Sequence, residues 1–300
     1  MREELSEMIQ LIERRKSIDG STKYLFNDGI KEGNNFEALY FYPIDNVKKS
    51  SICISTQIGC AVGCAFCATG KLGLSRNLKS FEMIDAIKKI LEEEKKEGKD
   101  INSFDTVALM GMGEPLHNYD EIRNFYHEAI KNFSLRHISI STSGVTDKIL
   151  KLAEDDMNFN LCVSLHSPFN DERTKLMPIN KRYPLHEVIK ACEYYYQKKQ
   201  KNSLNLKIKA SYLLLKDFND SDKHIEELIK ILDKDIFKVQ ILLYNENDKL
   251  PFKRPSIEKA KYFEKKLNEH GLETKISISK GQDIAGACGQ MAGKMNQKKK

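Results

Sequence analysis

The sequence predicts an α/β fold: an open, partial (β/α)6 barrel preceded by a short N-terminal helix and β-hairpin extension. Three observations carry that expectation. Apolar, β-prone runs recur along the chain: ICIST (52–56), TVALM (106–110), HISIS (137–141), LCVSL (161–165), LKIKASYLLL (206–215) and FKVQILL (237–243). Helical periodicity fills most of the intervals between them, and repeated strand–helix units build a parallel sheet with helices outside. Six units are too few for the closed eight-stranded barrel. In parallel α/β folds, sites gather at the carboxyl ends of the strands, so a candidate residue is judged by whether it falls there.

In chain order, residues 1–16 read as a helix, because Leu5, Met8, Ile9 and Ile12 follow the i, i+3, i+4, i+7 stripe. SIDGS is a turn. TKYLF and FEALYFY are two strands around the polar NDGIKEGNN segment. Behind ICIST, Ser80 is placed to cap a helix carrying Met83, Ile84, Ile87, Ile90 and Leu91. Further helices are expected near 121–131, 145–154, 185–199, 221–233 and 256–270. No Pro/Gly/Ser linker divides the chain after residue 45. The organisation is therefore an extension over 1–45, a barrel core over 46–290 and a basic tail over 291–300.

Composition bounds the function. The 300 residues are 40% hydrophobic and 31% charged, the balance of a globular protein. No apolar run reaches the roughly 18 residues of a membrane span, and MREELSEMIQ contains no secretory h-region. A cytoplasmic chain with no membrane partner is expected. The formal charge of +6 permits a polyanionic partner without requiring one. Lys198, Lys199 and Lys201, the pair Lys181 and Arg182, and the tail Lys298, Lys299 and Lys300 fit a phosphate-binding surface and a solvated face equally well.

The seven cysteines are an odd number, and four crowd into CISTQIGCAVGCAFCATG (53–70), unlike a secreted disulfide framework. Cys60, Cys64 and Cys67 follow the first barrel strand at the spacing C-x3-C-x2-C. Three thiolates can wrap one iron–sulfur cluster, and they leave one iron open where ferredoxin-type clusters use four cysteines. Phe66 is placed to shield such a cluster from water. A zinc site built from all four cysteines is the alternative. It fits the spacing poorly, since Cys53 lies inside a strand and no second C-x2-C pair follows.

C-x3-C-x-Phe-C resembles the signature of the radical S-adenosylmethionine (SAM) superfamily. MGMGEPL (110–116), ISTSG (140–144) and VSLH (163–166) close successive strands. GLSRNL (73–78), MPINKRYPL (177–185) and GQDIAGACGQMAG (281–293) complete a set that, from about Glu37 to Gly293, is similar to the RlmN/Cfr family. The resemblance implies a radical-SAM barrel, a [4Fe–4S] cluster on Cys60, Cys64 and Cys67, and SAM on its open iron. It also implies methylation of an RNA adenosine at carbon 2 or carbon 8, in 23S ribosomal RNA. The SAM contacts it carries over are Gly113, Glu114, Ser141, Ser164, Leu165, His166 and Asn245.

The leftover cysteines acquire roles only through that resemblance. An amidine carbon is electrophilic, whereas ordinary SAM methyl transfer needs a nucleophile. In the family, a cysteine of the ACGQ motif, here Cys288, first takes a methyl group from one SAM. A radical from a second SAM removes hydrogen from that methyl group, and the carbon radical adds to the base. A second cysteine, here Cys53, resolves the protein–RNA link by forming a disulfide with the first. Glu37 matches a glutamate used as proton acceptor. Cys162 and Cys192 match no family role and read as core residues. Tyr194, Tyr195 and Tyr196 are consecutive on a helix and cannot share one stacking face.

Several positions depart from the family pattern. Its fuller helical accessory domain is represented by residues 1–16 alone. Ser277 and Ser211 stand where an arginine and an acidic residue are common, and Glu246 replaces the proline after the asparagine at 245. The expected partners are RNA, with transfer RNA as the alternative to ribosomal RNA, and a reductase with ferredoxin or flavodoxin as electron donor; the expected state is a monomer. A radical-SAM enzyme acting on a non-RNA substrate and a non-catalytic, zinc-stapled RNA-binding module are the competing functions.

Overall fold

The computed structural model describes residues 9–42, 49–200, 207–246, 250–277 and 279–286. They divide into two compact units. The first comprises Met1–Ala61, Cys67–Ile140 and Lys280–Lys300, and the second Val62–Phe66 and Ser141–Ser279.

The first unit begins with three antiparallel strands, β1 (Gln10–Lys16), β2 (Thr22–Asn27) and β3 (Asn35–Phe41). Strand β4 (Ser50–Ile54) pairs antiparallel with β3 and then starts the parallel run with β7 (Phe104–Leu109) and β8 (His137–Thr142). A separate hairpin, β5 (Gln57–Cys60) with β6 (Gly73–Asn77), branches off directly after β4. Helices α1 (Ser80–Lys96) and α2 (Tyr119–Asn132) follow. Helix α1 is fixed by Glu82, whose carboxylate accepts the Lys79 N–H at 2.7 Å, whereas the Ser80 N–H goes to Glu121. So Ser80 is the first helical residue, and the capping side chain is Glu82, three residues after the N-cap Lys79.

The expected helix over 1–16 is not found at 10–16, which form β1; residues 1–8 lie outside the described residues. The periodicities compete there. Alternation along QLIERRK turns Leu11, Glu13 and Arg15 partly inward, and Ile12, a member of the supposed helical stripe, is 52% exposed. Pairing with the free edge of β2 overrides the local pattern.

The second unit is a parallel sheet of β9 (Phe159–Ser164), β10 (Ile208–Leu214), β11 (Phe237–Leu243) and β12 (Thr274–Ser277). Its helices are α3 (Thr146–Glu154), α4 (Asn170–Leu176), α5 (Leu185–Gln200), α6 (Asp222–Ile231) and α7 (Ile257–Glu269). Strand β10 is almost wholly buried, and β11 alternates buried and half-buried residues, as expected for a sheet with covered faces. Tyr195 is buried and donates its hydroxyl to the Phe159 carbonyl, whereas Tyr194 turns out to Glu154, so the three tyrosines splay apart. Cys162 and Cys192 are core residues; burial pushes the Cys192 thiol up to about 12.

Candidate active site

The cysteine loop is built on the β5–β6 hairpin. Cys60 ends β5 and is buried; Cys64 and Cys67, in the loop that follows, are half-buried. Gly59 makes the hairpin possible. Its φ is +80°, and a Cβ there would lie 1.9 Å from the Gly73 carbonyl oxygen. Arg76 on β6 anchors the hairpin through Asp28 (3.0 Å) and Glu82 (2.6 Å).

The piece Val62–Phe66 belongs to the second unit. There the Ala65 N–H donates to the Leu176 carbonyl at 2.8 Å, and the Phe66 ring meets His166 edge-on at 4.8 Å. As a donor set, three cysteines within eight residues of chain, the last preceded by a buried aromatic residue, match the chemistry of a three-cysteine cluster. A structural zinc needs four ligands on one point; among the described residues, no three His, Cys, Asp or Glu side chains are grouped that way.

Each expected SAM contact falls at the carboxyl end of its own strand. Gly113 and Glu114 follow β7, Ser141 and Ser164 lie near the ends of β8 and β9, Leu165 and His166 follow β9, and Asn245 follows β11. The MGMGEP turn is locked onto the segment after β4. The Thr56 N–H donates to the Met112 carbonyl at 2.9 Å, and the Glu114 N–H to Gln57 Oε1 at 2.8 Å. Glu114 is buried and accepts the Leu116 N–H, capping a single helical turn.

His166 has a left-handed backbone (φ 60°) and a buried ring whose Nδ1 accepts the Leu213 N–H at 3.0 Å. Burial, aided by the Arg173 charge, pushes its pKa down to about 3. It is therefore a neutral brace between the end of β9 and β10. Ser211, at the position where an acidic residue is common, touches the Cys162 thiol at 2.9 Å and accepts the Leu165 N–H. Asn245 donates to Ser279 Oγ at 3.2 Å, and Glu246 accepts the Arg254 N–H, bracing the loop where the family has proline.

The N-terminal strands hold the other expected site residues, Glu37 and Cys53. Lys23 pairs with Leu39, and Leu39 with Cys53, so these three side chains form one row across one face of the sheet. Glu37, two residues before Leu39, shares that face. It is fully buried, and its carboxylate lies 2.7 Å from Lys23 Nζ, itself fully buried. Segment 281–286 covers this face. Lys23 Nζ donates to the Ala285 carbonyl at 3.1 Å, and Gly286 packs so tightly that a Cβ would lie 2.5 Å from Leu39 Cδ2.

The turn between β1 and β2 clasps the same segment. Ser17 Oγ and the Ile18 N–H donate to Asp283, and the Gly281 N–H donates to Asp19 at 2.6 Å. Burial raises the Asp19 carboxyl, but hydrogen bonds from Ser21, Gly281 and Ser17 outweigh it and hold Asp19 below the usual carboxylate range. Cys288 itself lies outside the described residues, as does the basic tail. It is two residues beyond Gly286, at most about 7 Å of extended chain.

Sequence reasoning missed Lys23, Asp283 and Arg173. Lys23 reads as an ordinary strand lysine. Asp283 lies inside the GQDIAGACGQMAG motif, and only the hydroxyl and N–H donors of the distant turn at 17–21 give it a role. Arg173 sits in α4, whose seven residues are too few to show a period.

Comparison with known proteins agrees with this geometry. The Radical SAM superfamily model matches residues 54–230. A probable dual-specificity RNA methyltransferase RlmN of Thermotoga petrophila is 39% identical over 94% of this chain and 79% of its own. The dual-specificity RNA methyltransferase RlmN of Syntrophotalea carbinolica is 36% identical over 93% and 71%. Among solved structures, a radical SAM methyltransferase from Sphaerobacter thermophilus superposes with a TM-score of 0.86 at 35% identity, covering 96% of this chain and 82% of that one. Streptococcus suis SuiB bound to S-adenosylmethionine, at 16% identity and a TM-score of 0.55, shares the fold alone. These matches set aside the zinc-stapled, non-catalytic alternative. The chain belongs to the radical-SAM RlmN/Cfr family and is a SAM-dependent radical methyltransferase that uses a [4Fe–4S] cluster.

Proposed function

We propose that this enzyme methylates carbon 2 or carbon 8 of an adenosine in RNA, with 23S ribosomal RNA as the first target, through a methylated Cys288. The observation that carries the reading is segment 281–286, which ends two residues before Cys288 and lies over Leu39, the strand partner of Cys53. The similarity to RlmN enzymes supports the substrate class.

Cys60, Cys64 and Cys67 hold the cluster, and Gly113, Glu114, Ser141, Ser164, Leu165, His166 and Asn245 line the SAM site. When bound, the cluster and SAM supply the electron, the radical and the methyl group. The chain's own residues do the rest. The Cys288 sulfur carries the methyl carbon to the base. The Cys53 thiolate attacks that sulfur, so that an S–S bond forms as the bond between sulfur and the transferred carbon breaks. Its electron pair stays with the transferred carbon, which takes up a proton from solvent to become the methyl group, and the odd electron of the base adduct would return to the cluster. Glu37 takes the proton from the ring carbon, and external thiols reduce the disulfide before the next turnover.

The relatives are named dual-specificity enzymes, which favours a second RNA target, transfer RNA being the candidate. A ferredoxin or flavodoxin with its reductase would deliver electrons to a monomer in the cytoplasm. Among the described residues, no helix is long and apolar enough to cross a membrane.

The test is mass spectrometry of nucleosides from ribosomal and transfer RNA of a host lacking its own RlmN, with and without this protein. New 2-methyladenosine or 8-methyladenosine is expected, and its position fixes the carbon. No new methyladenosine, from protein with an intact cluster, would move the enzyme to a non-RNA substrate.

A further inference from the structure

We infer that Arg173 is the built-in counter-charge of the iron–sulfur cluster, a buried cation at the ends of β8 and β9 that eases the cluster's reduction. The inference rests on the cluster being held by Cys60, Cys64 and Cys67, as proposed above.

Arg173 is the largest fully buried side chain of the described residues. Its guanidinium donates to the Leu165 carbonyl (3.2 Å), Asn180 Oδ1 (2.5 Å), the Ser143 carbonyl (2.7 Å) and the Ser164 carbonyl (2.9 Å). All four acceptors are neutral, and among the described residues no carboxylate pairs with it. That is unusual, because a buried charge ordinarily brings its counter-ion with it. Guanidinium does not escape the problem by losing its proton.

The position of Arg173 indicates where the missing charge comes from. Three of its four acceptors are the carbonyls of residues that follow β8 or end and follow β9, including two of the proposed SAM contacts. Three residues further along α4, the Leu176 carbonyl accepts the N–H of Ala65, the neighbour of Cys64. That contact, with the strand-end carbonyls that Arg173 holds, places its guanidinium on the element that meets the loop of Cys64. A cluster on three thiolates is net negative, and its reduced form carries one more negative charge. In a medium of low dielectric, a fixed cation stabilises the reduced form more, which raises the reduction potential. The hydrogen bonds to strand-end carbonyls also fix where that charge sits.

The test compares the wild-type holoprotein with Arg173→Met and Arg173→Lys. The cluster's midpoint potential is measured by mediated dithionite titration followed by electron paramagnetic resonance, without SAM or RNA and with iron content determined in parallel. The methionine variant should be displaced to a more negative potential. The lysine variant keeps the charge but loses the fork, and should stay near wild type. If the methionine variant does not fold, Arg173→Gln is the neutral substitute, with the same expectation. Equal potentials in all variants would overturn the inference. Equal displacement of the lysine and neutral variants would overturn it too, by making Arg173 a hydrogen-bonding brace. A wild-type chain that takes up no cluster would overturn the ligand assignment and this inference with it.

Discussion

Replacing Lys23 with methionine should damage the protein in a way that a second substitution repairs. Lys23 and Glu37 are both fully buried, 2.7 Å apart, and Lys23 also holds the Ala285 carbonyl. Removing one partner of such a pair leaves a buried, uncompensated carboxylate, which costs about 3–5 kcal/mol. At about 2–4 °C per kcal/mol for a chain of this class, Lys23→Met should lower Tm by about 6–20 °C. Replacing the pair with apolar residues of similar volume is often close to neutral. Lys23→Met with Glu37→Leu should therefore recover most of that loss. The double variant would be stable and yet lack the proton acceptor, so RNA methylation should remain arrested. The assay is thermal unfolding of the holoproteins under anaerobic conditions, alongside nucleoside analysis. A single variant that melts within about 2 °C of wild type, a shift within the scale above, would refute the buried-pair reasoning. So would a double variant less stable than the single. Normal methylation by the double variant would remove Glu37 from the mechanism.

Asp283→Ala opens the clasp at Ser17 and Ile18. Because Asp283 is exposed, Tm should barely change, while the fraction of protein carrying a methyl group on Cys288 should fall in intact-mass analysis. An unchanged methylated fraction would show that the clasp does not position the segment. Acid should destabilise the fold through His166. Its folded pKa of about 3 lies below the ordinary value of 6.5, so between the two the unfolded chain binds a proton that the folded chain does not. That contribution is intact above pH 6.5 and declines by about 1.4 kcal/mol per unit below it. Replacing His166 with glutamine should flatten the acid limb of stability against pH, and an unchanged slope would contradict the assignment.

Much of the fold was legible because it is written in long, one-sided patterns. FKVQILL gave its strand to the residue, and the FEALYFY strand is one residue off at each end. The short pieces were not. The hairpin strands Gln57–Cys60 and Gly73–Asn77 and the edge strand Thr274–Ser277 hold too few residues for a period to show. Residues 10–16 were misread because strand pairing, a long-range interaction, decided between two periodicities of similar quality. The site divides the same way. The cluster cysteines and the ACGQ cysteine stand in short, specific motifs. Lys23 and Arg173 matter because tertiary structure buries their charge, and no local pattern announces that. Glu37 was legible as a resemblance, but its lysine partner across the sheet was not.

The central claim is that Cys288 and Cys53 act as a pair on RNA. The most direct measurement is denaturing electrophoresis and mass spectrometry of the Cys53→Ala protein expressed with its RNA. The account predicts a covalent protein–RNA adduct attached through Cys288, because nothing resolves the link, and it predicts that adding Cys288→Ala abolishes the adduct. Normal turnover by Cys53→Ala without an adduct, or an adduct that survives the loss of Cys288, would contradict it.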